Sequence, residues 1–545
     1  MKKAKTFKDI GLIKMVWLLV FVVGCSQSSG SAVGTETASP AVTKISATST
    51  KSATALEITD TPDISPTLEP DVDLRNLAGE QIIFWHTWGG KLGEVINEIV
   101  GDWNENNEWG LTVESLYQGN ADSINKKIFM QQNIEDLPNL ALGYIHQADA
   151  WDNLWPVEDL NSYIDDPYIG LSKEEQVDFY DPLWWKSQIG DKRLGLPVQQ
   201  YGNYLFYNQS WANELGFDSP PSTPEEFKDQ ACAAFNAVLL DDNDENNGMG
   251  GWVVSTDYTA TLGWLYAHGA EYYYPDDSGE MKQIYEFKTP ETEKTFRYLR
   301  SLFDDGCAWL SAGENPEVEF ASRRALFRSG DISDIPIQEE AFRSKSNQDK
   351  WVVISYPSPS GSGAFDVYGP ALILLSSSQE KQLASWLFLK WFSEPEQQAR
   401  MIEAAGTLPI RESTLDLLNE YREQNPHWSQ AVALMDDAKS EPGIQSWQTV
   451  RWALGDATRQ LFLSYFTIDD ISGLLEFLDK TAHELYLGPE KSGLLDTPTF
   501  TPSATLTPTV TPTPSVTPTA SVTSSPTNTP TPENTRQATE TPQAN

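Results

Sequence analysis

Leu194–Phe227 reads LGLPVQQYGNYLFYNQSWANELGFDSPPSTPEEF, and its order of signals sets the frame for the rest of the chain. Gly195-Leu196-Pro197 makes a turn, and Tyr204-Leu205-Phe206-Tyr207 has the aromatic density of a strand. Asn208 turns the chain into a short amphipathic helix that ends before Pro220-Pro221. Ser222-Thr223-Pro224-Glu225-Glu226 then starts a second helix, with proline in the first turn and acids where the helix dipole favours them.

Outward from this stretch, strands and helices alternate, the pattern of an α/β fold with helix-covered sheets. Gln81–Trp85 reads as an apolar strand emptying into His86-Thr87-Trp88-Gly89-Gly90, and Lys91–Trp103 as an amphipathic helix. The strand Leu111–Leu116 leads through Gln118-Gly119-Asn120 to a helix over Ala121–Gln132. A third strand, Leu140–Tyr144, ends in His146, Gln147 and Trp151. Three times a strand's carboxyl end delivers polar and aromatic groups into a loop, where open α/β sheets bind ligands. Farther on, Tyr368-Gly369-Pro370 precedes the strand Ala371–Leu375 and a helix over Ser376–Phe392. Ser393-Glu394-Pro395-Glu396-Gln397-Gln398 follows, and then Gly406-Thr407-Leu408-Pro409-Ile410-Arg411.

The two ends differ in kind from this body. Lys2, Lys3, Lys5, Lys8 and Lys14 precede the apolar run Met15–Val23, too short to span a bilayer, which is the pattern of a signal peptide. Val22-Val23-Gly24-Cys25-Ser26 resembles a bacterial lipobox, with Cys25 as the acylated residue and valine where leucine is commoner. Two acyl chains would make such a tether stable. Residues 25–73 and 496–545 are rich in Ser, Thr and Pro with almost no aromatic residues, so they cannot bury a core and read as disordered tether and tail.

Between them lies more chain than one hydrophobic core normally serves, so two lobes are expected. The formal net charge of −40 argues against nucleic acid as a partner. With Cys25 acylated, Cys232 and Cys307 remain as an even pair, read as a disulfide closing a loop of about 75 residues, worth on the order of 4 kcal/mol in the chain-entropy model.

The Leu194–Phe227 stretch, the lipobox, the Trp- and Leu-rich helix, the Ser-x-Pro-Glu-Gln turn and the crossing segment ending in Pro409 and Arg411 together resemble the extracellular solute-binding proteins of ABC importers, carbohydrate-type family 1, which include the maltose-binding proteins. The resemblance covers roughly residues 79–488. It implies a two-lobe, type II periplasmic-binding-protein-like fold with hinge crossovers and a ligand cleft. Lobe 1 is expected over 79–198 plus 364–404 and lobe 2 over 204–357 plus 407–490. It also implies a lipid-anchored, extracytoplasmic monomer without a cofactor or enzymatic activity, which binds carbohydrate by hinge closure and hands it to permease subunits served by a separate ATPase.

A sugar offers hydroxyls around an apolar face, so its site needs flat aromatics and planar polar side chains. The 19 Trp and 20 Tyr supply the first, although most must be ordinary core. By correspondence with family binding loops, the expected contacts are His86, Thr87 and Trp88 after the first strand, and Tyr144, His146 and Gln147 after the third. Gln200 and Tyr201 are expected in the crossover, with Asp257, Tyr258, Ser329 and Asp331 in lobe 2. Trp447 is expected as the stacking aromatic of the last lobe-2 segment, with a core role as its alternative.

Rival functions are a receptor relaying occupancy to a sensor and a secreted glycoside hydrolase. The second would need two carboxylates across the cleft, and no motif singles out such a pair among 78 acidic residues. The five His lack His-Glu-x-x-His spacing, and the acidic run Asp241–Gly248 fits a calcium loop poorly, because its glycine falls out of register.

Overall fold

The computed structural model describes residues 74–491, apart from 276–283, 312 and 314. The expected signal peptide, Cys25, and the expected tether and tail lie outside the described residues. Two sheets organise the body, each with its own helices, in the expected two-lobe α/β arrangement.

In the first sheet the order is Thr112–Tyr117, Gln81–His86, Leu140–Gly143, Ala371–Leu374 and Leu196–Pro197. The first three run parallel, and Ala371–Leu374 lies antiparallel to both its neighbours. Leu140–Gly143 and Ala371–Leu374 are buried at every position, as expected for strands covered on both faces. The helices Gly90–Asn106 and Gln379–Phe392 pack on this sheet, and Pro395–Ala405 packs against both of them. The Gln379–Phe392 helix starts later than the hydrophobic pattern suggests because the Ser378 side chain accepts from the Lys381 amide at 3.3 Å and caps it there.

In the second sheet, Tyr201–Asn208 is central. It pairs antiparallel with Ala325–Asp331 on one edge, and its other edge is shared between Phe365–Tyr368 and Trp351–Ile354. Ala438–Ser440 extends the sheet beyond Phe365–Tyr368, while Gly250–Val253 and Ala308–Trp309 extend it beyond Ala325–Asp331. The Pro224–Leu239 helix begins as its sequence indicates. Thr223 and Glu226 exchange hydrogen bonds in a capping box, with Pro224 in the first turn. Cys232 on this helix is joined to Cys307, with Cα atoms 4.5 Å apart, tying the helix to the sheet's outermost strand.

The chain passes between the sheets around Val198–Gln200 and again at Gly369-Pro370. These crossings run side by side: a Cβ on Gly369, at φ +152°, would lie 2.2 Å from the Gln199 carbonyl oxygen. Two expected lobe boundaries need correction. Phe365–Tyr368, assigned to lobe 1 by the boundary at 364, belongs to the second sheet, where its register with Asn203, Gly202 and Tyr201 places it. Arg411, assigned to lobe 2 by the boundary at 407, is held by the first lobe. Its guanidinium donates to the Ser393 and Glu175 carbonyls at 2.8 and 3.2 Å and lies 4.1 Å from the Phe179 ring centre.

Candidate functional site

Between the lobes lies an open cavity of about 1230 Å³. The first lobe contributes Asp149, Trp185, Lys186 and Gln188, and the second contributes Tyr272, Tyr273 and the segment from Lys439 to Ser446. Trp185 is 60 % exposed, a large apolar ring left uncovered at the cavity wall. A much smaller cavity of about 20 Å³ adjoins it and shares Lys186, Glu441, Pro442 and Gly443. Tyr144, His146 and Tyr368 line this inner end.

The lobes touch where the segment after Ser440 meets the first lobe. The Gln445 amide donates to Asp149 Oδ2 at 2.7 Å, and its side chain accepts from Asn153 Nδ2 at 3.4 Å. Gly443 is needed at this contact, because a Cβ there would lie 2.8 Å from Ile145 Cγ2.

Charged groups gather around the inner end. Arg451, from the helix Trp447–Leu461, places its guanidinium 5.7 Å from the Tyr144 ring, 5.4 Å from Tyr258 and 5.3 Å from Trp452. Its Nη1 donates to the Tyr258 hydroxyl at 3.3 Å. Lys186 donates to Gln200 Oε1, whose amide nitrogen donates to the Pro370 carbonyl at 2.8 Å. Desolvation holds the Lys186 ammonium down to about 8. His146 is 3 % exposed and its Nε2 has no partner; burial first, then the Arg451 and Lys186 charges, hold it down to about 3. Glu441 Oε2 accepts from Trp447 Nε1 at 2.7 Å, while its Oε1 has no partner.

Of the residues expected from sequence, Tyr144 and His146 line the inner cavity and Gln200 reaches it through Lys186. Tyr201 stacks on Tyr368 at 5.7 Å, and the Tyr368 hydroxyl donates to Asp331 Oδ2 at 2.8 Å. Burial pushes the Asp331 carboxyl up to about 6, against the hydrogen bonds from Ser333 and Tyr368. Tyr258 belongs to the cluster through Arg451.

The other expected contacts do local work here. Gln147 accepts from the Tyr144 amide and closes a helix start. Asp257 caps the next helix, accepting from the Thr259 amide at 2.9 Å. Ser329 accepts from Trp252 Nε1 at 3.3 Å. His86 and Trp88 stack 5.5 Å apart, and Trp88 stacks on Phe392, so both are lobe-1 core, with Thr87 half-buried between them. Trp447, expected as a stacking face, is instead fully buried against Tyr272 and Tyr285, with its indole nitrogen committed to Glu441. Its neighbours Ser446 and Gln448 take the cavity wall.

Sequence reasoning passed over Trp185, Lys186, Tyr272, Tyr273, Asp366, Glu441 and Arg451. Trp184-Trp185-Lys186 carried the one usable signal, two tryptophans of which a short helix can bury only one face. The acidic run Asp241–Gly248 folds on itself: Asp241 accepts from the Asn243 amide at 2.7 Å and Asn243 from the Glu245 amide at 3.2 Å. Among the described residues no helix is long and apolar enough to cross a membrane.

Known proteins share this architecture. The sugar-binding protein MalE of Xanthomonas citri superposes with a TM-score of 0.64 at 19 % identity, over 77 % of this chain and 100 % of its own. The cyclic alpha-maltosyl-1,6-maltose binding protein of Arthrobacter globiformis gives 0.60 at 21 % identity, over 74 % and 99 %. A binding protein of Brucella abortus is 23 % identical over 321 residues, covering 57 % of this chain and 72 % of the relative. Residues 98–436, more than half of the chain, match the family description itself, and the protein therefore belongs to the bacterial extracellular solute-binding proteins.

Proposed function

We propose that this chain captures a sugar outside the cytoplasm for an ABC importer, closing its lobes on the ligand and delivering it to permease subunits. The observation that carries this reading is the interlobe cavity, which the uncovered Trp185 ring and the half-buried Tyr273 line together with Gln188 and Gln445. Flat aromatics next to planar amides suit a polyhydroxylated ring, whose faces are apolar and whose edges hydrogen-bond in pairs. Two structural neighbours carry maltose-type or sugar-binding descriptions, which supports the same ligand class. Attachment through acylated Cys25 would keep the capture domain near the permease.

The test is a thermal-shift panel on the purified full chain with mono- and oligosaccharides, polyols, peptides and phosphorylated metabolites. A true ligand at 100 times its dissociation constant stabilises the folded state by about 2.7 kcal/mol. A response confined to one sugar class is expected. A response only to peptides or phosphorylated metabolites would overturn the sugar reading.

A further inference from the structure

His146 and Glu441 line the same small space, and each has one buried polar atom there without a partner. His146 comes from the first lobe and is 3 % exposed, with Nε2 unpartnered. Glu441 comes from the second lobe, and its Oε1 is in the same state. The space they line, about 20 Å³, adjoins the large cavity through Lys186, Glu441, Pro442 and Gly443, which belong to both.

Neither side chain is loosely held. Trp447 Nε1 donates to Glu441 Oε2 at 2.7 Å, which leaves Oε1 as the spare oxygen of an anchored carboxyl. The Tyr144 ring stacks on the imidazole of His146 at 5.4 Å with 14° between the planes. Groups already fixed by other contacts lose little freedom when they grip a ligand, so this pair is preorganised for one.

The space sets the size of what enters, and the two atoms set its chemistry. About 20 Å³ has room for about one water-sized group, so neither a sugar ring nor a phosphate or carboxylate group fits. A hydroxyl both donates and accepts, and so pairs with a carboxyl oxygen and an imidazole nitrogen at once, whichever of them holds the proton. Anions are disfavoured by charge as well. Asp366 lies in register with Lys439, two residues before Glu441, and is fully buried with both oxygens unpartnered. An ammonium group would meet Lys186, which lines both cavities, and the Arg451 guanidinium 5.7 Å from the Tyr144 ring.

We propose that the inner cavity is a subsite for one hydroxyl: an unmodified hydroxyl at the end of a neutral sugar is held between His146 and Glu441 while the ring lies in the large cavity. Because each lobe supplies one partner, both bonds form only when the lobes are together. The subsite therefore couples recognition of that hydroxyl to closure, and it rejects sugars in which the same position is phosphorylated, oxidised to an acid, aminated or capped.

The inference rests on the sugar-capture reading and deepens it. Its test is calorimetric titration of the full chain with each sugar that responds in the thermal-shift panel, and with the mono-deoxy, amino-deoxy, O-methyl and phosphorylated forms of that sugar. At one position every replacement should weaken binding by on the order of a hundredfold, because the two buried atoms are then left unpaired. A second readout needs no ligand. His146→Phe keeps a ring on Tyr144 and removes the unpaired nitrogen, so the urea midpoint of the ligand-free chain should stay at or above that of wild type, while sugar binding weakens by about tenfold or more. A lowered midpoint would mean that the nitrogen already has its partner, a resident water, and would overturn the subsite. An analogue series in which no position stands out, or in which the phosphorylated or amino form binds as well as the parent at the critical position, would overturn it on wild-type protein alone. A panel silent to every sugar would sink the capture reading and the subsite together, whereas a flat analogue series would sink only the subsite.

Discussion

The loop after the first strand and the segment Glu441–Arg451 hold the same kinds of side chain and use them in opposite ways. In the loop, Trp88 donates from its indole to Gln199 Oε1 at 2.7 Å and from its amide to His86 Nδ1 at 3.2 Å, and its ring is closed in by His86 and Phe392. Each polar atom of Trp88 that needs a partner has one. Around Glu441–Arg451, in contrast, Glu441 Oε1, Arg451 Nε and the facing His146 Nε2 are buried without partners. Leaving a buried polar group unpaired costs about 1–3 kcal/mol, so such a cluster persists for a reason other than stability. A saturated aromatic loop is core even at a strand's carboxyl end, whereas an unsaturated polar cluster marks where something else must bind or move.

That contrast can be broken most directly at Trp88. Trp88→Ala should destabilise the fold by about 3–5 kcal/mol in urea titration, since it empties a packed site behind Phe84, His86 and Phe392. A variant with near-native stability and no sugar response would reverse the assignment and return Trp88 to the ligand.

Acid sharpens the comparison through the two histidines. His86 is buried and held down to about 4, so the folded state favours its neutral form, and its contribution is lost as pH falls from 6.5 toward 4. The loss should amount to roughly 2–3 kcal/mol and shrink in His86→Gln. His146, held down to about 3, should behave alike in stability, but only His146→Gln should also alter the response to sugar. Urea midpoints at two pH values, with and without the responding sugar, measure both effects.

The smallest stability effect belongs to Trp185. Because the ring is 60 % exposed, Trp185→Ala should change stability by no more than about 0.5 kcal/mol while abolishing the ligand-induced thermal shift. A retained shift would remove Trp185 from the site.

How far the sequence carried differs between fold and site. The period-2 and period-3.6 patterns located most strands and helices of the first lobe, because side-chain direction alternates locally and burial follows it. The short strand Phe365–Tyr368 escaped assignment to its sheet: four residues before a Gly-Pro turn show no partner, and only pairing with Tyr201–Asn208 and Ala438–Ser440 places it. Similarly, Tyr144, His146, Gln200 and Tyr258 could be picked from strand ends and crossovers, where topology alone brings groups to a cleft.

Asp366, Glu441 and Arg451 could not be found that way. They sit 75 and 10 residues apart (441 − 366 and 451 − 441), and nothing local distinguishes them from the other acids and arginines of a strongly acidic chain. Sequence by itself determined the low-complexity composition of the ends, the alternating α/β body and the crossover turn, all properties of neighbouring residues and composition. Only the tertiary structure decided that Trp88 and Trp447 are core while Trp185 is bare, and that Glu441 Oε1 and His146 Nε2 are left buried without partners at the inner end of the cavity. Burial and hydrogen-bond saturation are settled by what packs against a residue across the whole chain, and local sequence does not contain that information.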